Sequence, residues 1–468
     1  MCAIVGALLP RTNTILDAAH AKSTLLHIMK ASHARGRDGY GVHTHFNILE
    51  SRASDCYKFP RKFHEAEIQA PDVGALLDGA SVIANFRAEP TTEFVRSKRA
   101  EDQQPYKLDD WAIVHNGTVA NDHDLRTYEL QTTIDSAAIV ELLVGQPQLF
   151  DGPLDAYSTF HDTIKEGVVG SYAILATNSH FPEHMMVACN YRPVWYAVTQ
   201  RGVFFASAKE YFPKELTPIA LEPYSTASFR YINGNLNVEK NTLRETLTEK
   251  PKALVIASGG LDSTVAAAQC VKDGYDVSLV HFTYGCRAEE HEVEAVQAIG
   301  EAMGVPVTVF PMAIYNAEDS RLFDKDSDIA GGEAGAEFAH EWVPARNLVM
   351  LSVATALAES GGFQYIVLGN NLEEAGAYPD NEPEFVRRFN ELLPYAVGDG
   401  KRVQVLMPVG DMMKHEIVAL GYKNGAPLHL TWSCYKNGGL HCGKCGPCFM
   451  RKTAFRINYL DEVISYEE

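Results

Sequence analysis

Short apolar or alternating runs broken by turn residues dominate the first half of the chain. Cys2–Leu9, Ser81–Phe86, Trp111–His115, Ser171–Thr177, Met185–Ala188, Val194–Thr199 and Gly202–Ala206 each read as a β-strand. Helical spacing of apolar positions lies between them, over Ile15–Ser32 and over Asp135–Leu143. In the latter, Ala138, Ile139, Leu142 and Leu143 share a face behind an Asp135-Ser136 start. This mixture predicts a layered α+β domain over residues 2–221. From 222 to 250 the chain turns polar, and Tyr231-Ile232-Asn233-Gly234-Asn235 reads as a hairpin tip, so connecting strands or a linker are expected there.

Pro251 opens a different rhythm. Strand patterns at Ala253–Ala257, Asp276–Phe282, Val307–Pro311 and Tyr365–Leu368 alternate with helical ones at Ser263–Asp273, Glu289–Met303 and Leu348–Glu359. Alternation at this spacing predicts an α/β domain with a doubly wound parallel sheet over 251–468. Within it, Asp324–Glu337 is rich in Asp, Gly and Ala and reads as a mobile loop.

A chain of 468 residues is long enough for two or three cores, and 46% hydrophobic with 22% charged residues is ordinary globular composition. No apolar run reaches the roughly 18 residues of a membrane span, and no signal peptide is evident. A cytoplasmic enzyme without a membrane partner is expected, in the host cytoplasm if the chain is phage-encoded. The net charge of −19 argues against broad, charge-driven nucleic-acid binding. A local patch stays open, because Lys423, Lys436, Lys444, Arg451, Lys452 and Arg456 fall between Ile417 and Leu460 with no acidic residue. Nine cysteines, four of them clustered at the C-terminal end, fit a reducing compartment and one metal site better than a disulfide scaffold.

Three features carry chemistry. Cys2 becomes the first residue once Met1 is removed, and its own α-amine, with a pKa near ~8, is then a usable general base for the thiol; a buried small residue opening a strand is the plainer alternative. Ser258-Gly259-Gly260-Leu261-Asp262-Ser263 follows a buried strand and opens a helix, where glycines admit an anion and the helix N-terminus offers free N–H groups. It lacks the Gly-Lys-Ser/Thr of kinase-type loops. Cys434-x₇-Cys442-x₂-Cys445-x₂-Cys448 offers four thiolates at a spacing that suits structural zinc. Iron–sulfur ligation is the runner-up, and His441 is a competing ligand.

The first half resembles the class II, N-terminal-nucleophile glutamine amidotransferases. The matching pieces are Cys2-Ala3-Ile4-Val5-Gly6, Arg35-Gly36-Arg37-Asp38-Gly39-Tyr40-Gly41, Asn85-Phe86-Arg87, Gln104-Pro105-Tyr106, His115-Asn116-Gly117, Ile134-Asp135-Ser136, Gly170-Ser171-Tyr172 and Arg192-Pro193. The resemblance implies a four-layer fold and L-glutamine as nitrogen donor. It makes Cys2 the nucleophile, Asn116 and the Gly117 N–H the oxyanion donors, Arg87 the grip on the substrate carboxylate and Asp135 that on its ammonium. A surface ion pair is the alternative for the last two. The arginine stands in Phe86-Arg87-Ala88 where the family has Thr-Arg-Trp.

The Ser258–Ser263 loop looks like that of the N-type ATP pyrophosphatases, which adenylate an oxygen and release pyrophosphate. This implies that Ser258, Gly259, Gly260, Asp262 and Ser263 hold ATP, with Mg²⁺ shielding the phosphates. From about Lys252 to Ile457 the chain is similar to the 7-cyano-7-deazaguanine synthases. The matches are this loop, Tyr284-Gly285-Cys286-Arg287, Val343-Pro344-Ala345-Arg346-Asn347, Tyr378-Pro379-Asp380, Lys414-His415-Glu416-Ile417 and Thr431-Trp432-Ser433-Cys434-Tyr435 with the cysteine cluster. Arg346, Asn347 and Asp380 are the base-side candidates it implies, against a reading as satisfied polar residues. Cys286-Arg287-Ala288 replaces the family's Gln-Arg-His, and Asn371–Ala377 replaces its Thr-Asp-Phe-Ser-Gly, which bears on the C7 substituent accepted.

Taken whole, the arrangement resembles the amidotransferase–deazaguanine synthase fusions associated with modified bases of archaeal tRNA and phage DNA. It implies ATP- and glutamine-dependent nitrogen transfer to the C7 substituent of a 7-deazaguanine, from carboxylate to amide or nitrile, or from nitrile to formamidine. Small-molecule substrates are the expected partners; tRNA or DNA and a homodimer are left open. A glutamine-hydrolysing asparagine synthetase shares the domain order but has no need of four cysteines, and a zinc-dependent nucleic-acid-binding protein is the non-enzymatic alternative.

Overall fold

The computed structural model describes residues 2–11, 14–33, 35–36, 38–46, 54–61, 63, 75, 77–87, 99–148, 150–245, 250–316, 318–324, 331, 342–375, 378–398, 400–436, 438–460 and 464–467. The chain forms two compact units, Met1–Arg244 and Glu245–Glu468. Nearly all of the expected loop Asp324–Glu337 lies outside the described residues. Among the described residues no helix is long and apolar enough to cross a membrane.

In the first unit the strands, in chain order, are β1 (Ala3–Leu8), β2 (Gly39–His45), β3 (Ser54–Phe59), β4 (Ser81–Arg87), β5 (Tyr106–Leu108), β6 (Trp111–His115), β7 (Thr118–Val119), β8 (Gly170–Ser171), β9 (Ala173–Asn178), β10 (His184–Cys189), β11 (Trp195–Thr199), β12 (Gly202–Ala206), β13 (Ile219–Ala220), β14 (Ser225–Ile232) and β15 (Asn235–Thr242). They form two antiparallel sheets, ordered β13-β11-β12-β1-β4-β2-β3 and β15-β14-β10-β9-β6-β5, and the small pair β7-β8.

Side-chain alternation sorts the layers. Ala3, Val5 and Ala7 of β1 pack with Leu25, Ile28 and Met29 of the helix Ile15–His33, while Ile4 and Leu8 meet Val114, Leu175 and Val187 of the other sheet. The far face of that second sheet, with Ile113, Ile174 and Met186, is covered by the helices Ala137–Val144 and Pro153–Gly167 through Ile139, Leu143, Phe160 and Ile164. The result is helix, sheet, sheet, helix, the four-layer arrangement that the resemblance implied.

The polar stretch 222–250 contributes β14 and β15, a hairpin whose turn residues Asn233 and Gly234 both take positive φ, 51° and 79°. That is the two-residue turn an Asn-Gly pair favours. The expected strand Ser171–Thr177 is split at Tyr172, because its N–H goes to Asn190 Oδ1 at 3.0 Å instead of a neighbouring strand.

The second unit carries β16 (Lys252–Ile256), β17 (Asp276–Thr283), β18 (Val307–Pro311), β19 (Tyr365–Val367) and β20 (Gln404–Leu406), all parallel and ordered β18-β17-β16-β19-β20. The helices Leu261–Lys272, Glu289–Met303, Lys414–Asn424 and Gly446–Ile457 pack on one face, and Arg346–Gly361 and Pro383–Ala396 on the other. Strand order reverses beside β16, which opens a crevice at the carboxyl ends of β16 and β19.

One buried ion pair anchors the first unit. Glu141, on the helix Ala137–Val144, meets Arg126 Nε at 3.0 Å with both side chains almost fully buried. Its oxygens also accept the N–H groups of Thr127 (2.8 Å), Tyr128 (3.1 Å) and Leu130 (3.1 Å). Glu141→Ala strands the guanidinium and three amides at once, so it should lower unfolding free energy by about 3–5 kcal/mol, read from urea denaturation of the full chain.

Candidate functional sites

The first site lies at one end of the stacked sheets of the first unit. Cys2 is half-buried and enters β1, whose Ala3 pairs with Phe86, next to Arg87 at the end of β4. Asn85, opposite Ile4, sends Nδ2 to His115 O at 3.3 Å, bridging to the second sheet beside Asn116. The Asn116 backbone is tied both ways to Ala173, at 2.9 and 3.0 Å. Its side chain is buried, and Nδ2 has no hydrogen-bond partner among the described residues. A donor left unmatched in this way calls for an acceptor. Gly117 follows, and a Cβ there would stand 1.8 Å from Ser171 O, so only glycine fits.

Arg87 is buried and its Nη1 donates to Asp102 O, which also accepts Tyr106 Oη at 3.1 Å. Thr132 Oγ1 holds the Asp102 carboxylate at 2.7 Å. Asp135 accepts Val119 N–H at 2.7 Å and the Ser136 hydroxyl at 3.3 Å. Behind them His115 is fully enclosed, with Nδ1 2.7 Å from Ser136 Oγ and its backbone N–H donating to Gln104 Oε1 at 2.6 Å. Burial lowers its pKa, so the ring stays neutral and serves as scaffold. Gln104 and Ser136 were legible as matched motifs but not as the pair that seats His115; Gln104 Nε2 reaches Ser136 Oγ at 3.2 Å.

The second site is the crevice of the second unit, a cavity of about 240 Å³ lined by Ser258, Gly260, Asp262, Ser263, Arg346 and Asn347 among others. The loop shapes itself: Ser258 N–H reaches Ser263 Oγ at 3.2 Å, the two hydroxyls are 3.1 Å apart, and Gly260 N–H reaches Ser258 Oγ at 3.2 Å. Gly259 has φ +80°, and a Cβ there would meet Glu292 O at 2.9 Å. The helix Leu261–Lys272 then presents its N-terminus to the cavity, a position suited to an anion. Asp262 pairs with Lys414 Nζ and accepts Asn371 Nδ2 at 3.2 Å.

Of the base-side candidates, Arg346 and Asn347 line this cavity and Asp380 borders a small adjoining recess. Arg346 Nη1 reaches Tyr284 Oη at 3.3 Å. The Asp380 carboxylate accepts Asn347 N–H at 2.9 Å and so caps the helix Arg346–Gly361 from another segment. Lys414, Arg451, Trp432, Tyr284 and Glu292 also line the cavity. No site role was read for Tyr284, Lys414, Trp432 and Glu292 in sequence, although the first three stand inside matched motifs, and Arg451 was read only as part of the local basic patch. Glu292 sits in the helical pattern Glu289–Met303, and Arg451 in a helix that the sequence did not disclose, so nothing local marks a cavity at either.

Cys434, Cys442, Cys445 and Cys448 are buried, with all four Sγ atoms within 4.8 Å of one another. Tetrahedral zinc with Zn–S near 2.3 Å sets sulfurs about 3.8 Å apart, so the set fits one ion. N–H groups of Lys436 and Cys442 point at Cys434 Sγ (3.3 and 3.4 Å), and that of Cys445 at Cys442 Sγ (3.3 Å), as suits thiolates. His441 lies outside this set of four clustered donors, and its Nε2 takes Ser433 N–H at 3.0 Å. The cluster is joined to the cavity. Trp432 Nε1 donates to Cys434 O at 2.7 Å, while Trp432 N–H donates to Gly259 O at 2.9 Å.

The chain has relatives among known proteins over its whole length. The family profile described as queuosine biosynthesis protein QueC matches residues 252–459. A 7-cyano-7-deazaguanine synthase of Saccharolobus solfataricus is 42% identical over 100% of both chains. The 7-cyano-7-deazaguanine synthase 2 of Sulfurisphaera tokodaii is likewise 42% identical over 100% of both. The 7-cyano-7-deazaguanine synthase of Methanothrix thermoacetophila is 44% identical over 44% of this chain and 93% of its own. Among solved structures, glutamine phosphoribosylpyrophosphate amidotransferase from B. subtilis aligns over 96% of each chain with TM-score 0.40 and 13% identity. Two relatives matched end to end, both units included, make this chain an enzyme of the 7-cyano-7-deazaguanine synthase family.

Proposed function

We propose that the chain is a glutamine-dependent, ATP-using amidotransferase that installs nitrogen on the C7 substituent of a 7-deazaguanine. The observation that carries the reading is end-to-end similarity to enzymes named 7-cyano-7-deazaguanine synthase, together with an anion-suited loop at the switch point of the second unit. In the first unit Cys2, its α-amine serving as base, attacks the glutamine side-chain amide. The unmatched Nδ2 of Asn116 and the Gly117 N–H receive the developing oxyanion, while Arg87 and Asp135 hold the amino-acid end. In the second unit Ser258, Gly259, Gly260, Asp262 and Ser263 hold ATP, whose phosphates Mg²⁺ would screen. Arg346 and Asn347, which line the same cavity, hold the base, with Asp380 fixing Asn347.

The acceptor in this reading is the C7 carboxylate. Adenylation needs an oxygen, which a carboxylate and then an amide possess and a nitrile lacks. Zinc on Cys434, Cys442, Cys445 and Cys448 is structural, with no ligand position open.

Amide-¹⁵N glutamine, ATP and Mg²⁺ should therefore label 7-carboxy-7-deazaguanine with pyrophosphate release, read by mass spectrometry. Label entering only 7-cyano-7-deazaguanine would instead make the product a formamidine. Cys2→Ala should lower glutamine-driven turnover by roughly a thousandfold or more and leave ammonium-driven turnover intact; equal loss of both would refute the assignment of Cys2.

Losing the metal should act through Trp432. Cys445→Ser should abolish stoichiometric zinc, measured by elemental analysis. It should also weaken ATP binding about tenfold by calorimetry, the loss of roughly one hydrogen bond's worth of loop positioning.

A further inference from the structure

Three carboxylates line the cavity among the described residues: Asp262, Glu292 and Glu373. Two are engaged. Asp262 pairs with Lys414 and takes the Asn371 amide, and Glu373 accepts the Lys414 backbone N–H at 2.8 Å. Glu292 is differently placed. Its backbone packs against Gly259 of the loop, and its Oε2 accepts the Cys286 thiol at 3.5 Å, a weak donor. The groups acting on it are Cys286 and Tyr284 from the segment after β17, Arg346 from the helix Arg346–Gly361, and Glu289 from its own helix. Arg346 is turned toward Tyr284 Oη at 3.3 Å.

The proposed reaction needs a base. Ammonia's lone pair forms a bond to the C7 carbonyl carbon of the acyl adenylate, the C–O bond to AMP breaks, and nitrogen must shed one proton to become an amide. Conversion to the nitrile transfers a second adenylyl group from ATP to the amide oxygen. As that C–O bond breaks, the remaining two N–H protons must also leave. Each stage removes protons from nitrogen beside the phosphate loop.

We infer that Glu292 is the catalytic base that takes these protons, its carboxylate oriented by the Cys286 thiol. The inference rests on the amidation reading above. Burial pushes the Glu292 carboxyl up to about 7, the range in which a base for neutral-pH turnover works best. Asp262 and Glu373 lack that freedom, since protonating either would release bonds that shape the cavity.

The test uses the full chain with ATP, Mg²⁺, 7-carboxy-7-deazaguanine and ammonium chloride adjusted at each pH to hold free ammonia constant, between pH 5.5 and 9. Wild-type kcat should fall on the acid side with a midpoint near 7. Glu292→Gln should lower kcat by about a hundredfold, leave KM for ATP within roughly threefold, and lose the acid limb; Glu292→Asp should keep the limb at reduced rate. Thermal melting gives an independent readout of the same ionisation. The carboxyl is raised from the ordinary 4.5 to about 7 in the folded state, so its burial costs stability progressively as pH rises from about 4.5 to 7 and by a constant amount above that. Glu292→Gln should therefore melt several degrees higher than wild type at pH 8, with much less gain at pH 5.

Product from the wild type with kcat of Glu292→Gln within threefold, or with its acid limb retained, overturns the assignment and leaves the amidation reading standing. A wild-type chain that forms no product from this base overturns that reading and the assignment with it.

Discussion

The hydrogen bond from Trp432 N–H to Gly259 O, 2.9 Å long, is the junction on which the second unit's site depends. Gly259 sits at φ +80° in a loop whose other ties, the Ser258 and Ser263 hydroxyls and the Asp262 carboxylate, lie to either side of it. Trp432 can support Gly259 because it is fixed three ways. Its indole donates to Cys434 O, and its ring lies between His291 and His441, with centroids 4.0 and 4.3 Å away. Arg451 fixes the same segment by donating to Leu428 O and Thr431 Oγ1 at 3.0 and 2.6 Å. His291 stands one residue before Glu292, so the cysteine cluster, the loop and the proposed base meet at one aromatic ring. A metal with no open coordination position can in this way govern a chemical site that it never touches.

Much of this was legible because burial writes itself into pattern. Trp111–His115, Gly202–Ala206, Glu289–Met303 and Val307–Pro311 match their sequence limits, since both apolar content and flanking turns mark them. β2 escaped, although every residue of Gly39–His45 is buried. His43 and His45 look like surface positions in sequence, yet their Nε2 atoms are 3.2 Å apart and satisfy each other inside. The helix Gly446–Ile457 escaped because the cysteine spacing dominates its start, and the buried Arg451 breaks its apolar face. Motifs named the loop and the cluster, but the bond between them joins residues far apart in sequence, and no local pattern encodes it.

The basic stretch between Ile417 and Leu460 shows how charge in sequence is redistributed by folding. Arg451 is buried against carbonyls. Lys452 reaches Gly443 O at 3.2 Å and lies 4.0 Å from the Tyr466 ring. Burial removes Arg451 from any cationic face, while Lys452 stays exposed with its ammonium against the cysteine loop.

In the first unit Asn116 Nδ2 is one of several buried polar atoms without a hydrogen-bond partner among the described residues, and it is the one that the motifs group with Cys2 and Gly117. Two nearby buried amides are satisfied: Asn190 takes Tyr172 N–H and gives to Gly170 O at 2.7 Å, and Asn85 gives to His115 O. Asn116 Nδ2, on a backbone pinned to Ala173, gives to nothing among the described residues. An unmatched buried donor costs roughly 1–3 kcal/mol. The rigidity around it prevents relaxation toward some incidental acceptor, so the cost persists in the resting fold. In the proposed reaction that cost is recovered when charge develops on the glutamine amide oxygen, because the donor is already oriented and already dry. Stability given up at Asn116 is thus converted into selectivity for the moment at which the oxyanion forms.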